Sequence, residues 1–322
     1  MQKTDKASDV VIGVVGLGLM GSSIVAAFLI AGHPVIAIAP LANETNEASE
    51  RIHKQLIHAD QSGLLSKPVD QYSIQLTISE NYSSLKNCTL VMECVIENIE
   101  IKKTVFHKIV AAVSKDTIIA SNTSAIPIST LQKLVPDPQR FLGIHWSEPA
   151  YLTRFLEVTC GEETDISNAK WVLEIAGFWG KEPTLLKKDI RGFITNRLMY
   201  AVYREGLALI ENGDANIEDV DKAFRYDVGS WITLMGIFRR MDFLGLQDLK
   251  EVWTAIYPKL SNNEKVPAIM QEMVDMQARG IHNLKGLFKY TPEEAKQWED
   301  AFAEFNKDIF KLAAKYPSTV RV

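Results

Sequence analysis

The feature that most constrains this chain is Gly16-Leu17-Gly18-Leu19-Met20-Gly21, placed between an apolar β-branched run, Val10–Val15, and an apolar helical stretch, Met20–Ala31. A second strand-like run, Val35–Ala39, follows directly. A strand, a glycine turn, a helix and a second strand within about thirty residues make a βαβ unit, whose crossover has one permitted hand. Gly16 allows the tight turn, Gly18 lets a ligand come close to the backbone, and Gly21 lets helix and strand pack closely. Leu19 and Met20 open the helix, where free amides and the helix dipole favour an anion. Gly16, Gly18, Leu19, Met20 and Gly21 are therefore candidate contacts to the pyrophosphate of a dinucleotide.

The second strand of such a unit usually ends in Asp or Glu, which accepts hydrogen bonds from the adenosine ribose of NAD. This chain has Ala39-Pro40 there, with Asn43 and Glu44 in the loop beyond and no Arg or Lys immediately following for the extra phosphate of NADP. The expected cofactor is NAD, with Asn43 or Glu44 reaching the ribose.

The first half continues to alternate strand-like runs (Thr89–Val95, Thr117–Ala120, Arg140–Ile144, Phe155–Thr159, Glu182–Leu186) with helical stretches (Asn46–Ser62, Glu100–Val113, Ser167–Phe178). That alternation predicts a parallel sheet covered on both faces. After Asp189 the pattern turns to long amphipathic helices: Gly192 to about Asn212, then Val220–Phe224, Ile237–Leu249, Val266–Arg279 and Pro292–Lys315. The expected fold class is α/β, a Rossmann-like doubly wound parallel sheet over residues 1–189 followed by an all-α domain over 190–322. A chain of 322 residues, 47% hydrophobic, is long enough to give each domain a core.

The net charge of -5 comes from 35 basic and 40 acidic residues interspersed along the chain, which argues against a nucleic-acid partner. No stretch approaches the roughly 20 apolar residues of a membrane span, and Val10–Val15 is too short for a signal-peptide core. Cys88, Cys94 and Cys160 have neither metal-ligand nor disulfide-framework spacing. They read as core thiols of a cytoplasmic protein without a metal site.

Four blocks carry a family resemblance: Glu93 to Lys103, Ser121-Asn-Thr-Ser124, Gly143-Ile-His-Trp-Ser-Glu-Pro149 with Glu157, and Gly192-Phe-Ile-Thr-Asn-Arg-Leu198. In order and spacing they resemble the 3-hydroxyacyl-CoA dehydrogenases over roughly residues 10 to 250. The resemblance implies an NAD-dependent oxidoreductase in which His145 is the general base and Glu157 its carboxylate partner. It implies that Ser124 bonds the substrate oxygen, that Asn196 reaches the same centre from the second domain, and that Glu97 and Lys102 line the nicotinamide side. The chemistry agrees, since oxidising an alcohol requires a base for the hydroxyl proton and imidazole as a class changes protonation near neutrality. His145 is expected just beyond a strand's C-terminal end, and Glu157 at the end of the next strand.

Two departures bear on substrate and activity. Glu148 stands where the family has an asparagine, with Arg154 a candidate partner, and the segment Gln55–Gly63 is shorter and less basic than the family's lysine-rich hairpin for the CoA phosphates. The shorter segment resembles relatives acting on free hydroxy acids, the lambda-crystallin, gulonate and carnitine dehydrogenase group. The expected substrate is therefore a small hydroxy acid or an acyl-CoA, with Arg239-Arg240 and Lys285 either anion contacts or a solvated face. A dinucleotide-binding protein with little turnover is the rival reading, motivated by Ala39 and Glu148. The resemblance also implies a homodimer through the helical domain, where Trp231, Ile232, Leu234, Met235, Ile237 and Phe238 are dense enough for an interface or a core.

Overall fold

The computed structural model describes residues 6–41 and 43–316, apart from the side chains of 313 and 314. The chain divides by its internal contacts between Ile194 and Thr195, a few residues beyond the boundary expected from the sequence. In the first unit the elements are β1 (Ile12–Val15), α1 (Leu19–Ala31), β2 (Val35–Ile38), α2 (Thr45–Gln61), α3 (Val69–Ser73), β3 (Leu76–Ser79), β4 (Leu90–Glu93), α4 (Ile99–Ala112), β5 (Ile118–Ser121), α5 (Ile128–Gln132), β6 (Phe141–Trp146), β7 (Phe155–Cys160), α6 (Ile166–Ile175) and β8 (Glu182–Leu186). The strands form one eight-stranded sheet in the order β3-β2-β1-β4-β5-β6-β7-β8. This is the Rossmann-like, doubly wound arrangement, with its change of direction at β1 and β4.

The central strands are apolar and buried on both faces, as helices on both sides of a parallel sheet require: Ile12, Val14, Leu90, Met92, Ile118 and Ala120 pack toward α1 and α2, while Val15, Val91, Ile119 and Phe141 pack toward α4 and α5. Two features depart from the sequence reading. The edge strand β3 is an additional element, half-exposed and only four residues long, so it shows neither an apolar run nor a long alternation. And β7 runs antiparallel to β6, so the sheet is mostly rather than wholly parallel.

The second unit comprises α7 (Thr195–Glu211), α8 (Ile217–Ala223), α9 (Gly229–Leu244), α10 (Leu246–Ile256), α11 (Ala268–Asp275) and α12 (Pro292–Lys315). The helix expected from Gly192 begins only at Thr195, because Gly192 and Phe193 are left-handed, at φ 85° and 50°. The helix expected over Ile237–Leu249 is broken at Gly245 (φ 96°, ψ 122°), and α9 is itself kinked at Gly236 (φ 70°, ψ -171°). Glycine tolerates those dihedrals where other residues rarely do. No helix among the described residues is long and apolar enough to cross a membrane.

Candidate active site

Each glycine of the first loop has a distinct geometric reason. Gly16 lies at φ 94°, and a Cβ there would stand 2.8 Å from Val95 and 2.9 Å from the Cys94 backbone. A Cβ on Gly21 would stand 1.8 Å from the Gly16 carbonyl oxygen, so only glycine lets α1 pack this close to the loop. Gly18 caps α1, and nothing lies within 4 Å of where its Cβ would be. No side chain caps this helix end. The amides of its first turn, Leu19 and Met20 included, are thus left without a capping side chain at the positive end of the helix dipole, beside the open space at Gly18, which fits a pyrophosphate.

At the adenosine end of the sheet, Ala39 is fully buried and carries no polar group. Beyond it Glu44 is held by Arg51 at 2.7 Å, and the Arg51 Nε donates to the Leu17 carbonyl at 2.9 Å. The Glu44 carboxylate is thereby fixed one guanidinium away from the glycine loop. Glu80, just past β3, accepts from the Asn43 amide at 2.8 Å and shapes the same turn. Arg51 and Glu80 were not singled out from the sequence, since their roles depend on a helix and a strand folding back to the loop.

The antiparallel pairing of β6 and β7 places His145 directly opposite Glu157. This corrects their expected positions: His145 is the fifth residue of β6 rather than beyond it, and Glu157 the third of β7 rather than its last. The Glu157 side chain is fully buried, and its Oε2 stands 3.7 Å from the His145 Nδ1. That is longer than a hydrogen bond, and neither atom has another partner among the described residues. Hydrogen bonds of this kind commonly tighten when ligand binds. On the other side of the ring, the Ser124 Oγ is 3.1 Å from Nε2. Phe155 contacts the imidazole edge-on, with centroids 5.5 Å apart.

Ser124 is held by Glu97, which accepts from the Ser124 amide at 3.1 Å, the Ala125 amide at 3.2 Å and the Thr123 hydroxyl. Burial opposes the charge on Glu97, but the Thr123 hydrogen bond and the Lys102 ammonium outweigh it and hold its carboxyl below the usual range. Lys102 is itself almost wholly buried, with its Nζ 2.8 and 2.9 Å from the two Glu93 oxygens and 3.2 Å from Glu97. It is committed to these carboxylates beneath the loop. The structure therefore places Ser124, His145, Glu157 and Glu97 together in one chain of contacts, with Lys102 behind them. Asn196 lies in the first turn of α7, in the second unit.

Arg154, a candidate partner for Glu148 in the sequence, has its guanidinium 3.2 Å from Glu182. Ser23 of α1, whose oxygen accepts the Ala150 amide at 2.8 Å, stands beside Glu148. Burial pushes the Glu148 carboxyl up to about 7, against the pull of Ser23. The same loop is gripped from β8's side by Lys181, which donates to the Ala150 and Thr153 carbonyls and lies 5.0 Å over the Trp146 ring. In the second unit, Arg240 stacks over Trp231 at 5.2 Å and Phe243 at 5.7 Å.

Comparison with known proteins agrees with this reading. Residues 11–190 match the model of the 3-hydroxyacyl-CoA dehydrogenase NAD-binding domain, and residues 192–290 match that of the C-terminal domain. The chain is 33% identical over 287 residues, 88% of this chain and 92% of the other, to 5-formyl-3-hydroxy-2-methylpyridine 4-carboxylate 5-dehydrogenase of Mesorhizobium japonicum. It is 28% identical to the mitochondrial hydroxyacyl-coenzyme A dehydrogenase of Sus scrofa, across 86% of this chain and 90% of that one. Among solved structures, a 5-formyl-3-hydroxy-2-methylpyridine 4-carboxylic acid 5-dehydrogenase, described as an NAD+ dependent dismutase, superposes with a TM-score of 0.86 at 30% identity, covering 95% of this chain and 99% of that one.

Proposed function

Because the chain belongs to the 3-hydroxyacyl-CoA dehydrogenase family, an NAD-dependent oxidoreductase family acting on CH–OH groups, we propose that it oxidises the alcohol of a small hydroxy acid, reversibly, with His145 as general base. The observation that carries this reading is the line from Ser124 through His145 to Glu157, with a hydroxyl at one imidazole nitrogen and a buried carboxylate at the other. NAD, when bound, supplies the hydride acceptor. Glu157 on the Nδ1 side favours the tautomer that keeps its proton there, which leaves Nε2 as a base for the substrate hydroxyl. The Ser124 hydroxyl positions the substrate oxygen, and Glu157 stabilises the imidazolium once the proton has moved. Asn196 is assigned a contact to the same oxygen, and Glu97 the support of the turn that carries Ser124.

Residues 1–189 serve as the dinucleotide-binding domain and 190–322 as the substrate and dimerisation domain. Two observations favour a free acid over a CoA thioester. Lys54 is the single lysine of α2, which is sparse for a polyphosphate. And the relative with a TM-score of 0.86 is named for a pyridine carboxylic acid rather than a thioester. The CoA reading is carried by relatives such as that of Sus scrofa, so both substrate classes enter the test. NADH oxidation is followed at 340 nm with acetoacetyl-CoA and with small 3-keto acids. Faster turnover of the free acids supports the proposal, faster turnover of the thioester replaces the substrate assignment, and no turnover with any supports a binding protein.

What supports a homodimer is how little the second unit buries. Ala295 is its single buried residue among those described, while Tyr226, Phe238 and Phe243 are more than 70% exposed. Helices with so many uncovered apolar faces call for a partner, and a second copy supplies one symmetrically. Light scattering should give twice the chain mass of 36.1 kDa; the single-chain mass would remove the dimer from the account.

A further inference from the structure

Gly192-Phe193-Ile194 opens the last of the four sequence blocks and has no task in the mechanism, yet its backbone is unusual. Phe193 has a φ of 50°, in the left-handed region that a bulky side chain rarely takes, directly after Gly192 at 85°. Two contacts depend on that conformation. The Phe193 ring, only 2% exposed, lies 5.9 Å from the His145 ring at a tilt of 52°. The next amide, Ile194 N–H, donates to Glu157 Oε1 at 2.8 Å. With Oε1 held there, Oε2 is the oxygen left facing His145 Nδ1. Phe155 also packs edge-on against the imidazole, so two phenyl rings contact it while its carboxylate is steered by a backbone amide. A residue needed only to fill the core would have no reason to hold a left-handed backbone; extended or helical dihedrals would turn either the ring or the following amide away.

We propose that Phe193 is a positioning residue for the proton-transfer pair, setting the tilt of His145 with its ring and the aim of Glu157 through the Ile194 amide. The proposal rests on the reading of His145 as base, and the test separates the two. The imidazole signal of His145 is followed by NMR in protein labelled at histidine carbon, assigned by its loss in His145→Gln, and titrated without substrate in wild type, Phe193→Ala, Phe193→Leu and Phe193→Tyr. Altering the environment of the pair should move the midpoint of that titration by about half a pH unit or more in Phe193→Ala and Phe193→Leu. Phe193→Tyr, which keeps the ring, should restore it. In parallel, kcat should fall about tenfold or more in the first two variants while the NADH Kd stays within about twofold. Phe193→Leu keeps most of the core volume, so it serves if Phe193→Ala does not fold. An unmoved midpoint with kcat within about twofold of wild type overturns the proposal, as does a loss of kcat matched by an equal loss of NADH affinity with the midpoint unmoved. Failure of the base assignment would show separately, as near-normal turnover in His145→Gln, and would leave the response of the imidazole signal to Phe193 intact.

Discussion

Replacing Lys102 with methionine isolates the buried support of the site. The ammonium has 1% of its side-chain surface exposed, and Glu93 has none. Removing one member of a buried ion pair leaves the other uncompensated, which typically costs about 3–5 kcal/mol. The second contact, to Glu97, adds little, because that side chain is 37% exposed and solvent screens it. In a unit of this size such a loss lowers Tm by on the order of 10 °C. Two further outcomes separate this cause from general damage. Burial already pushes the Glu93 carboxyl up, and without Lys102 that carboxyl can lower its cost by taking a proton, so the Tm deficit of Lys102→Met should be smaller at low pH than at high pH. The double variant Lys102→Met with Glu93→Gln should recover most of the deficit, giving a coupling of about 2 kcal/mol or more in the mutant cycle. Circular dichroism melts at two pH values read all of this. A single variant within about 1 kcal/mol of wild type, or a double variant no better than the single, would show that the buried pair does not carry this stability.

Other outcomes follow from the same geometry. Glu44→Gln takes the carboxylate from Arg51 beside the glycine loop, so the NAD Kd should rise several-fold and the NADP Kd should fall; calorimetry giving unchanged ratios would remove Glu44 from the ribose site. Glu148, whose carboxyl is pushed up from 4.5 to about 7, keeps its proton in the folded chain after the unfolded chain has released it. Wild type should therefore lose stability relative to Glu148→Gln as pH rises through that window and hold level above it; parallel Tm curves for the two proteins would contradict this.

The glycine loop was legible from the sequence because each glycine answers to a local constraint, a turn, an open approach or a close helix contact, and all three are present in the structure. The strands of the sheet core were legible for the same reason, as apolar runs between helical patterns. The pairing of His145 with Glu157 was legible only as a spacing shared with a family. Its physical basis is the reversed direction of β7, which no run of residues encodes locally and which long-range pairing decides. Lys102 reads in the sequence as one of three lysines on a helix, and its burial follows from Glu93, nine positions earlier at the end of a strand. The hydrogen bond between Ala150 and Ser23 spans 127 positions, so the surroundings of Glu148 were beyond sequence reasoning altogether. Gly245 sits inside an apolar helical pattern and Gly236 just before it, where a glycine can be tolerated or can break the helix, and here they interrupt and kink it.

If His145, backed by Glu157, takes the substrate proton, its loss should slow hydride transfer and leave the cofactor cradle of the glycine loop intact. Single-turnover hydride transfer and NADH affinity by fluorescence, measured on the same preparation of His145→Gln, test it most directly. The rate should fall by about two to four orders of magnitude, with the NADH Kd within about threefold of wild type. A rate within about tenfold of wild type would contradict it.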